Sequence, residues 1–409
     1  MSCGEIVSGI NSNQSENYVR ALGNALTGTG LRYFVIGRDG RESGGRLAEY
    51  LAEGIYTGGG KVINAGIFPE GGINHIGSLY ESGAGITISG GEGDKTVNGI
   101  RITVGGRRPD RAFERELYSQ LKKGLSVRSG GKILSAENSI NRYLKFVKHK
   151  VNFDFCNSEI VFDCGHGSMQ KIIGPLCAEL NIKPGLLAAD YEPDLVNEYS
   201  GMQFPEYIEG NAFSDAGISF SQAGDGFAAL DGGRVAGADV VAYRLSVRDG
   251  GDTVITEGIN GALKARLDEE NRGCFVVEEN RLVMERAFEV RKAALAVSES
   301  GLVLQREGDA VTAALCYLAE AAKGPCEYRP FARRSLILEN TQAAGLGEEF
   351  FACLKRISGL LKGMGRLLLF EDRTLRRVKI IAESSSEFTA VAAVKEIERT
   401  FPEKFFKKF

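Results

Sequence analysis

Twice in its first half the chain runs from a short apolar strand through a glycine-rich, charged turn into an amphipathic helix. The first passage has a strand at 33–37 (YFVIG), the turn Arg38-Asp39-Gly40-Arg41-Glu42-Ser43-Gly44, and a helix over 45–57 with Ser43 as its expected N-cap. The second has a strand at 159–162, the turn Asp163-Cys164-Gly165-His166-Gly167-Ser168, and a helix over 169–180. Strands at 61–65 and 84–88, with a helix running from the turn at 68–72 to about 81, extend the first unit. A strand at 216–220 and a hairpin over 227–234 close the second. Alternation of this kind predicts α/β units built on largely parallel sheets, because each crossover helix covers the sheet that it leaves.

The later chain keeps this grammar less strictly. A helical connector is expected over 128–157, and a third unit from about 252 with a helix over 311–322. Gly324-Pro325 marks a boundary. The last unit has strands at 366–370 and 377–382 and a helix over 387–400. We divide the chain into residues 1–127, 128–248, 249–325 and 326–409, with the last block smaller and α+β. The basic tail, Lys404 and Lys407-Lys408, reads as a solvated end.

Composition narrows the functional classes. With 50 basic and 53 acidic residues and a net charge of −3, the chain lacks the basic surface of a nucleic-acid binder. No apolar run is long enough to span a bilayer, and residues 1–14 have no signal-like apolar core. The eight cysteines form no Cys-x-x-Cys pair, so a reducing, cytoplasmic setting is expected. Three histidines, His75, His149 and His166, leave little scope for histidine-cluster chemistry.

Six passages in order carry a resemblance: IGRDGRESGGRLAEYLAEGI at 36–55, GAGITIS and NGIRI within 83–102, VFDCGHGS at 161–168, DAGISF at 215–220, SESG with GDAVTAAL at 298–315, and GRLLLFEDRTLRRVKII at 365–381. Together they resemble the α-D-phosphohexomutases, and the phosphoglucosamine mutases in particular. The resemblance implies three similar α/β domains with mixed sheets and a smaller C-terminal α+β domain around a central cleft. It also implies a reaction in which a phosphoserine donates to a hexose phosphate and recovers the other phosphate from the bisphosphate. Such a reaction needs in-line positioning, a divalent metal on hard carboxylate oxygens and a second site for the far phosphate.

Carried over residue by residue, the family's loops fall on altered positions. Its phosphoserine motif T/S-x-S-H-N-P lies on Thr87-Ile88-Ser89-Gly90-Gly91-Glu92, so Ser89 keeps the hydroxyl while His-Asn-Pro is replaced by Gly-Gly-Glu. The Gly-Gly pair is expected to loosen this loop. Arg101 keeps the cation that follows Asn98-Gly99. The metal loop, three aspartates and an arginine in the family, is Ser221-Gln222-Ala223-Gly224-Asp225-Gly226, where Asp225 alone holds a ligand position. The sugar loop G-E-x-S-G-H becomes Val297-Ser298-Glu299-Ser300-Gly301-Leu302, leaving Glu299 and Ser300 as sugar-binding candidates, with Glu299 displaced by one strand position. The phosphate anchor R-P-S-G-T-E-P becomes Phe370-Glu371-Asp372-Arg373-Thr374-Leu375-Arg376. Thr374 is retained there, with Arg373, Arg376 and Arg377 available to an anion. The family's opening arginine has no counterpart in 7–14.

Each position also has a plainer reading. Ser89 can be a turn serine, Glu299 and Ser300 strand-surface residues, Arg373 to Arg377 a solvated hairpin tip, and Arg38, Asp39 and Arg41 a structural corner. The substitutions fall on four functional loops together while strands and helix signals stay legible. That pattern points to a family member that has lost mutase catalysis and acts by binding a ligand or partner. The alternative is an active phosphosugar mutase that works through phospho-Ser89 with Arg101, Asp225 and Arg373 in a rebuilt cleft. The first reading expects no cofactor, and magnesium enters only with the second. Expected partners are an anionic or phosphorylated small molecule, and a homodimer or a heteromer with a genuine mutase; nucleic acid and membrane are not expected.

Overall fold

A computed structural model describes residues 13–211, 213–338, 346–372 and 377–401, with the backbone of 406–407. The chain separates into two compact units, one formed by Met1–Gly237 with Gly301–Gly324, the other by Ala238–Ser300 with Pro325–Phe409.

The first unit contains two five-stranded sheets. In one, the strand order runs Gly99–Val104, Gly83–Ser89, Tyr33–Arg38, Lys61–Ile67, Lys132–Leu134. All neighbours are parallel except the Gly83–Ser89/Gly99–Val104 pair. The strands Tyr33–Arg38 and Gly83–Ser89 are buried almost throughout, as expected of parallel strands covered on both faces. Leu22 and Leu26 from the helix Asn13–Gly28 and Leu51 and Ile55 from Glu42–Thr57 pack with Phe34, Ile36 and Ile86 in one core. The helix Asn13–Gly28 is not anticipated above, since no motif marks it. Register aligns Arg38 with Ile88, Thr87 with Arg101 and Ser89 with Gly99. The carboxyl ends of two adjacent parallel strands therefore deliver Asp39 and Ser89 side by side, the usual place for chemistry in open α/β sheets.

The second sheet runs Arg234–Val235, Phe227–Asp231, Gly217–Phe220, Ser158–Asp163, Ile182–Leu187. The strand Gly217–Phe220 turns through residues 221–226 and returns antiparallel, with Phe220 opposite Phe227. In the second unit the strand Thr253–Thr256 lies parallel between Cys274–Val277 and Leu295–Val297. A separate antiparallel sheet holds Gly365–Asp372, Arg377–Ser384, Ala332–Leu338 and Phe406–Lys407. Helices Glu348–Leu361 and Glu387–Thr400 close that sheet's apolar core through Phe350, Ile357 and Ile397. Mixed α/β sheets followed by an α+β sheet match the fold class expected from sequence.

Four local expectations need correction. The connector expected to be helical over 128–157 holds the edge strand Lys132–Leu134 before its helix, Glu137–Val151. The second helix begins at Glu42, with Arg41 at the cap position and no side-chain capping bond. Ser43 instead accepts a hydrogen bond from Asn98 Nδ2 at 2.5 Å. Arg41, at the cap position, has its side chain fully buried. The helix expected at 169–180 is shorter, Ile173–Glu179, with Gly174-Pro175 in its first turn. The strand before the sugar-loop residues ends at Val297, so strand alternation does not decide where Glu299 points. No helix among the described residues is long and apolar enough to cross a membrane.

Candidate functional site

The first functional position is a buried hydrogen-bonded core. Asp39 and Arg41 are both 0% exposed, and Arg41 is the largest fully buried side chain among the described residues. Their side chains form an ion pair, and Asp39 Oδ1 also accepts the Arg41 N–H at 3.0 Å. Ser89 is buried at 4% exposure and donates its hydroxyl to Asp39 Oδ2 at 2.6 Å, while accepting the Gly91 N–H at 2.9 Å. The oxygen that would carry a phosphoryl group is thus spent on a buried carboxylate. Arg38 completes the corner: its Nη1 donates to the carbonyls of Asp39 (3.0 Å) and Arg41 (3.3 Å), and its guanidinium lies over the Tyr191 ring.

The loop after Ser89 is pinned, contrary to the expectation drawn from its glycines. Arg41 Nη2 donates to the carbonyls of Gly91 and Gly93, both at 2.9 Å. Asn197 Nδ2 donates to the same two carbonyls at 3.2 and 2.6 Å, and Gln203 Nε2 to the Glu92 carbonyl at 3.1 Å. Gly90 is required for close approach: a Cβ there would lie 2.2 Å from the Val97 carbonyl oxygen and 2.9 Å from the Arg41 guanidinium carbon.

Asp225 is engaged by protein groups. Its Oδ1 accepts the Ser221 hydroxyl at 2.7 Å and its Oδ2 lies 2.8 Å from Arg101 Nη1. The same nitrogen sits 2.5 Å from Oε2 of Glu70, a buried acid in the first turn of the helix Glu70–Ser78. The Glu70 N–H donates to the Ala223 carbonyl at 2.8 Å, which brings the helix start onto the loop 221–226. The resemblance implies a magnesium ion on this loop, and the residues present do not fit one. Ser221 accepts the N–H groups of Asp225 and Gly226 at 3.0 Å each while donating to Asp225, and Ala223 supplies no side-chain oxygen. Among the described residues no group of three or more His, Cys, Asp or Glu side chains is arranged to hold a metal ion.

Glu92 reaches the same loop from the serine side, its Oε1 accepting the Gln222 N–H at 2.8 Å. Burial pushes its carboxyl up to about 7. The Gln222 N–H and the Arg41 charge oppose that rise, and the charges of Asp225 and Asp39 add to it. From about pH 4.5 to about 7 the folded chain therefore keeps a proton that the unfolded chain has released. The group's contribution is most favourable below that window and is lost as pH rises through it. Glu92→Gln keeps the acceptor for Gln222. It is expected to stabilise the protein at pH 8 by on the order of 1–3 kcal/mol, the lower part of that range suiting a half-buried group, and to change little at pH 4.5. Urea midpoints at the two pH values measure this, and an equal effect at both would contradict it.

In the second unit the sugar-loop candidates are tied to protein partners. Glu299 Oε1 accepts Arg333 Nη1 at 2.6 Å, and burial is the main influence raising its carboxyl pKa. Ser300 donates its hydroxyl to Glu279 Oε1 at 2.9 Å and lies 2.8 Å from the Ser298 hydroxyl. Arg333 also donates to Glu383, which is 0% exposed, through Nε (3.0 Å) and Nη2 (2.6 Å). Glu383 Oε2 accepts Arg366 Nε at 2.7 Å and the Gly261 N–H at 2.9 Å. Arg373, Thr374 and Arg376 lie outside the described residues, as do Lys404, Lys408 and the stretch 7–12. Arg377 opens the strand Arg377–Ser384, opposite Asp372.

Of the candidates in the first unit, the structure brings Arg101 and Asp225 together in one ion pair and places Ser89 in a separate buried network. The sequence reading missed Glu70, Gln222 and Asn197 as partners. Glu70 carried one local signal, an acid directly after Pro69 at a helix start. Its partners, Arg101 and the Ala223 carbonyl, are 31 and 153 positions away along the chain, where no spacing rule reaches.

Three comparisons bear on this arrangement. The family description "phosphoglucomutase/phosphomannomutase, alpha/beta/alpha domain I" matches residues 3–128. The chain is 29% identical over 263 residues to the phosphoglucosamine mutase of Aeromonas hydrophila, a match covering 60% of this chain and 58% of that one, so it spans little more than half of that relative. Against the phosphoglucosamine mutase of Desulforudis audaxviator it is 27% identical over 409 residues, covering 92% of this chain and 90% of that one. The crystal structure of a phosphoglucomutase/phosphomannomutase family protein from Burkholderia thailandensis superposes with a TM-score of 0.74 at 17% identity, covering 98% and 96% of the two chains. At that identity the likeness speaks for the fold.

Proposed function

We propose that the chain is a member of the α-D-phosphohexomutase superfamily, a reading supported by the family match over residues 3–128 and by the similarity to a phosphoglucosamine mutase over nine-tenths of the chain, and that it keeps that architecture without the phosphoryl shuttle and acts by binding an anionic or phosphorylated ligand or a partner protein. The observation that carries this reading is the state of Ser89. Its hydroxyl is 2.6 Å from the buried Asp39 carboxylate, inside a network that Arg41 also completes. A phosphoryl group there would place two anions side by side in a buried site, which is strongly unfavourable. In-line attack needs an exposed oxygen and a charge-neutralising cation. Here the hydroxyl is buried and the cation facing Asp225 is a side chain.

The enzyme reading draws support from the similarity to a phosphoglucosamine mutase over nine-tenths of the chain. Under it the chain would be an isomerase moving a phosphoryl group on a hexose phosphate, with magnesium. Coupled turnover of glucosamine, glucose and mannose phosphates, with magnesium and a sugar bisphosphate activator, separates the two. We expect no turnover above the uncatalysed background; rates of roughly 1–10³ per second, typical of enzymes, would establish the mutase.

A further inference from the structure

We propose that the guanidinium of Arg101 is the resident cation of the loop 221–226, balancing Asp225 and Glu70 as a divalent ion would, so that the loop neither needs nor takes up a metal. Arg101 projects from the strand Gly99–Val104, whose register against Thr87 is fixed by the sheet. Its Nη1 stands 2.5 Å from Glu70 Oε2 and 2.8 Å from Asp225 Oδ2. All three side chains are largely withdrawn from water, at 17%, 8% and 16% exposure. Two carboxylates brought together at low exposure repel unless a cation lies between them. Here it is covalently part of the chain, so nothing has to be bound from solution.

The surroundings favour a guanidinium over an ion. Magnesium demands near-octahedral oxygen coordination and gives up water reluctantly, whereas the carboxylates here face an arginine whose planar donors suit them. Ser221 is committed to Asp225 Oδ1 and to two backbone N–H groups. A basic residue at Gly226 is excluded as the alternative source of charge, because even a Cβ there would sit 2.5 Å from the Gly301 carbonyl oxygen. The remaining negative charge lies near the amino end of the helix Glu70–Ser78, where the backbone dipole favours an acid.

The inference concerns these three side chains and holds whether or not the chain turns over a sugar phosphate. Thermal melting of the full chain, with and without millimolar magnesium at matched ionic strength, tests it. The parent protein is expected to melt at the same temperature in both. Arg101→Ala is expected to melt a few degrees lower and to stay lower in magnesium, because the donors left behind do not fit the ion. A further Asp225→Asn change removes one of the two facing carboxylates and is expected to recover part of that loss. Arg101→Lys, which keeps a cation and is the milder change, is expected to lose less and to ignore magnesium. The proposal is overturned by a magnesium shift in the parent that Asp225→Asn removes, by a folded Arg101→Ala that melts with the parent, or by an Arg101→Ala protein that magnesium restores to the parent's melting temperature.

Discussion

Asp39→Ala is expected to destabilise the protein by about 3–5 kcal/mol, the cost of removing one partner from a buried ion pair. Asp39 and Arg41 are completely buried, so truncating the acid leaves the guanidinium charge in a site that water does not reach. Arg41 would keep its bonds to the Gly91 and Gly93 carbonyls, but neutral acceptors do not balance the charge. The Ser89 hydroxyl and the Arg41 N–H would also lose their acceptor. Ser89→Ala removes the hydrogen bond to the Asp39 carboxylate and the acceptor of the Gly91 N–H but leaves the ion pair, and is expected to cost about 1.5–3 kcal/mol. Replacing both charges, as Asp39→Ala with Arg41→Met, is expected to recover part of the loss, because no unpaired charge remains. Urea unfolding midpoints give these values. An Asp39→Ala protein within about 1 kcal/mol of the parent would mean that the corner is open to water.

Glu383→Ala is expected to have an effect of the same size, about 3–5 kcal/mol, in the other unit. Its carboxylate is the common acceptor for Arg333, Arg366 and the Gly261 N–H. Removing it takes one carboxylate acceptor from each of two guanidinium groups and frees the first N–H of the helix Gly261–Glu269. Glu299 would still hold Arg333 through Nη1, so Arg366 is left the worse paired of the two. Glu383→Gln retains an acceptor and is expected to lose less. The same urea series reads both variants. Equal stability for Glu383→Ala and the parent would show that the arginines find other partners.

The strands at 33–37, 61–65, 84–88, 159–162 and 216–220 were legible from sequence because their signal is local, whereas Lys132–Leu134, Ile182–Leu187 and Ala332–Leu338 went unread. The strand Tyr33–Arg38, its charged turn and the following helix lie within 25 residues, and short apolar runs flanked by glycine turns admit few other folds. The hairpin at 227–234 was read on the same grounds. The site was less legible because its chemistry depends on partners distant in sequence. Ser89 and Asp39 are 50 positions apart, and only adjacent parallel strands bring their side chains together. Arg101 could be named as a retained cation, but its engagement by Glu70 and Asp225 depends on the packing of a helix start against a loop of another sheet. The Gly-Gly pair misled in an instructive way. Glycine permits freedom, but at Gly90 it answers a lack of space beside a buried arginine. Ser43 misled because the helix already begins at Glu42, and the serine hydroxyl serves Asn98 and not the helix start.

The central claim, that Ser89 is a structural hydroxyl and not a phosphoryl carrier, is tested most directly by intact-mass measurement after incubating the protein with a hexose bisphosphate and magnesium. The account predicts that the mass remains that of the unmodified chain. A stoichiometric gain of one phosphoryl group, mapped to Ser89 and absent from Ser89→Ala, would contradict it and return the chain to the working mutases.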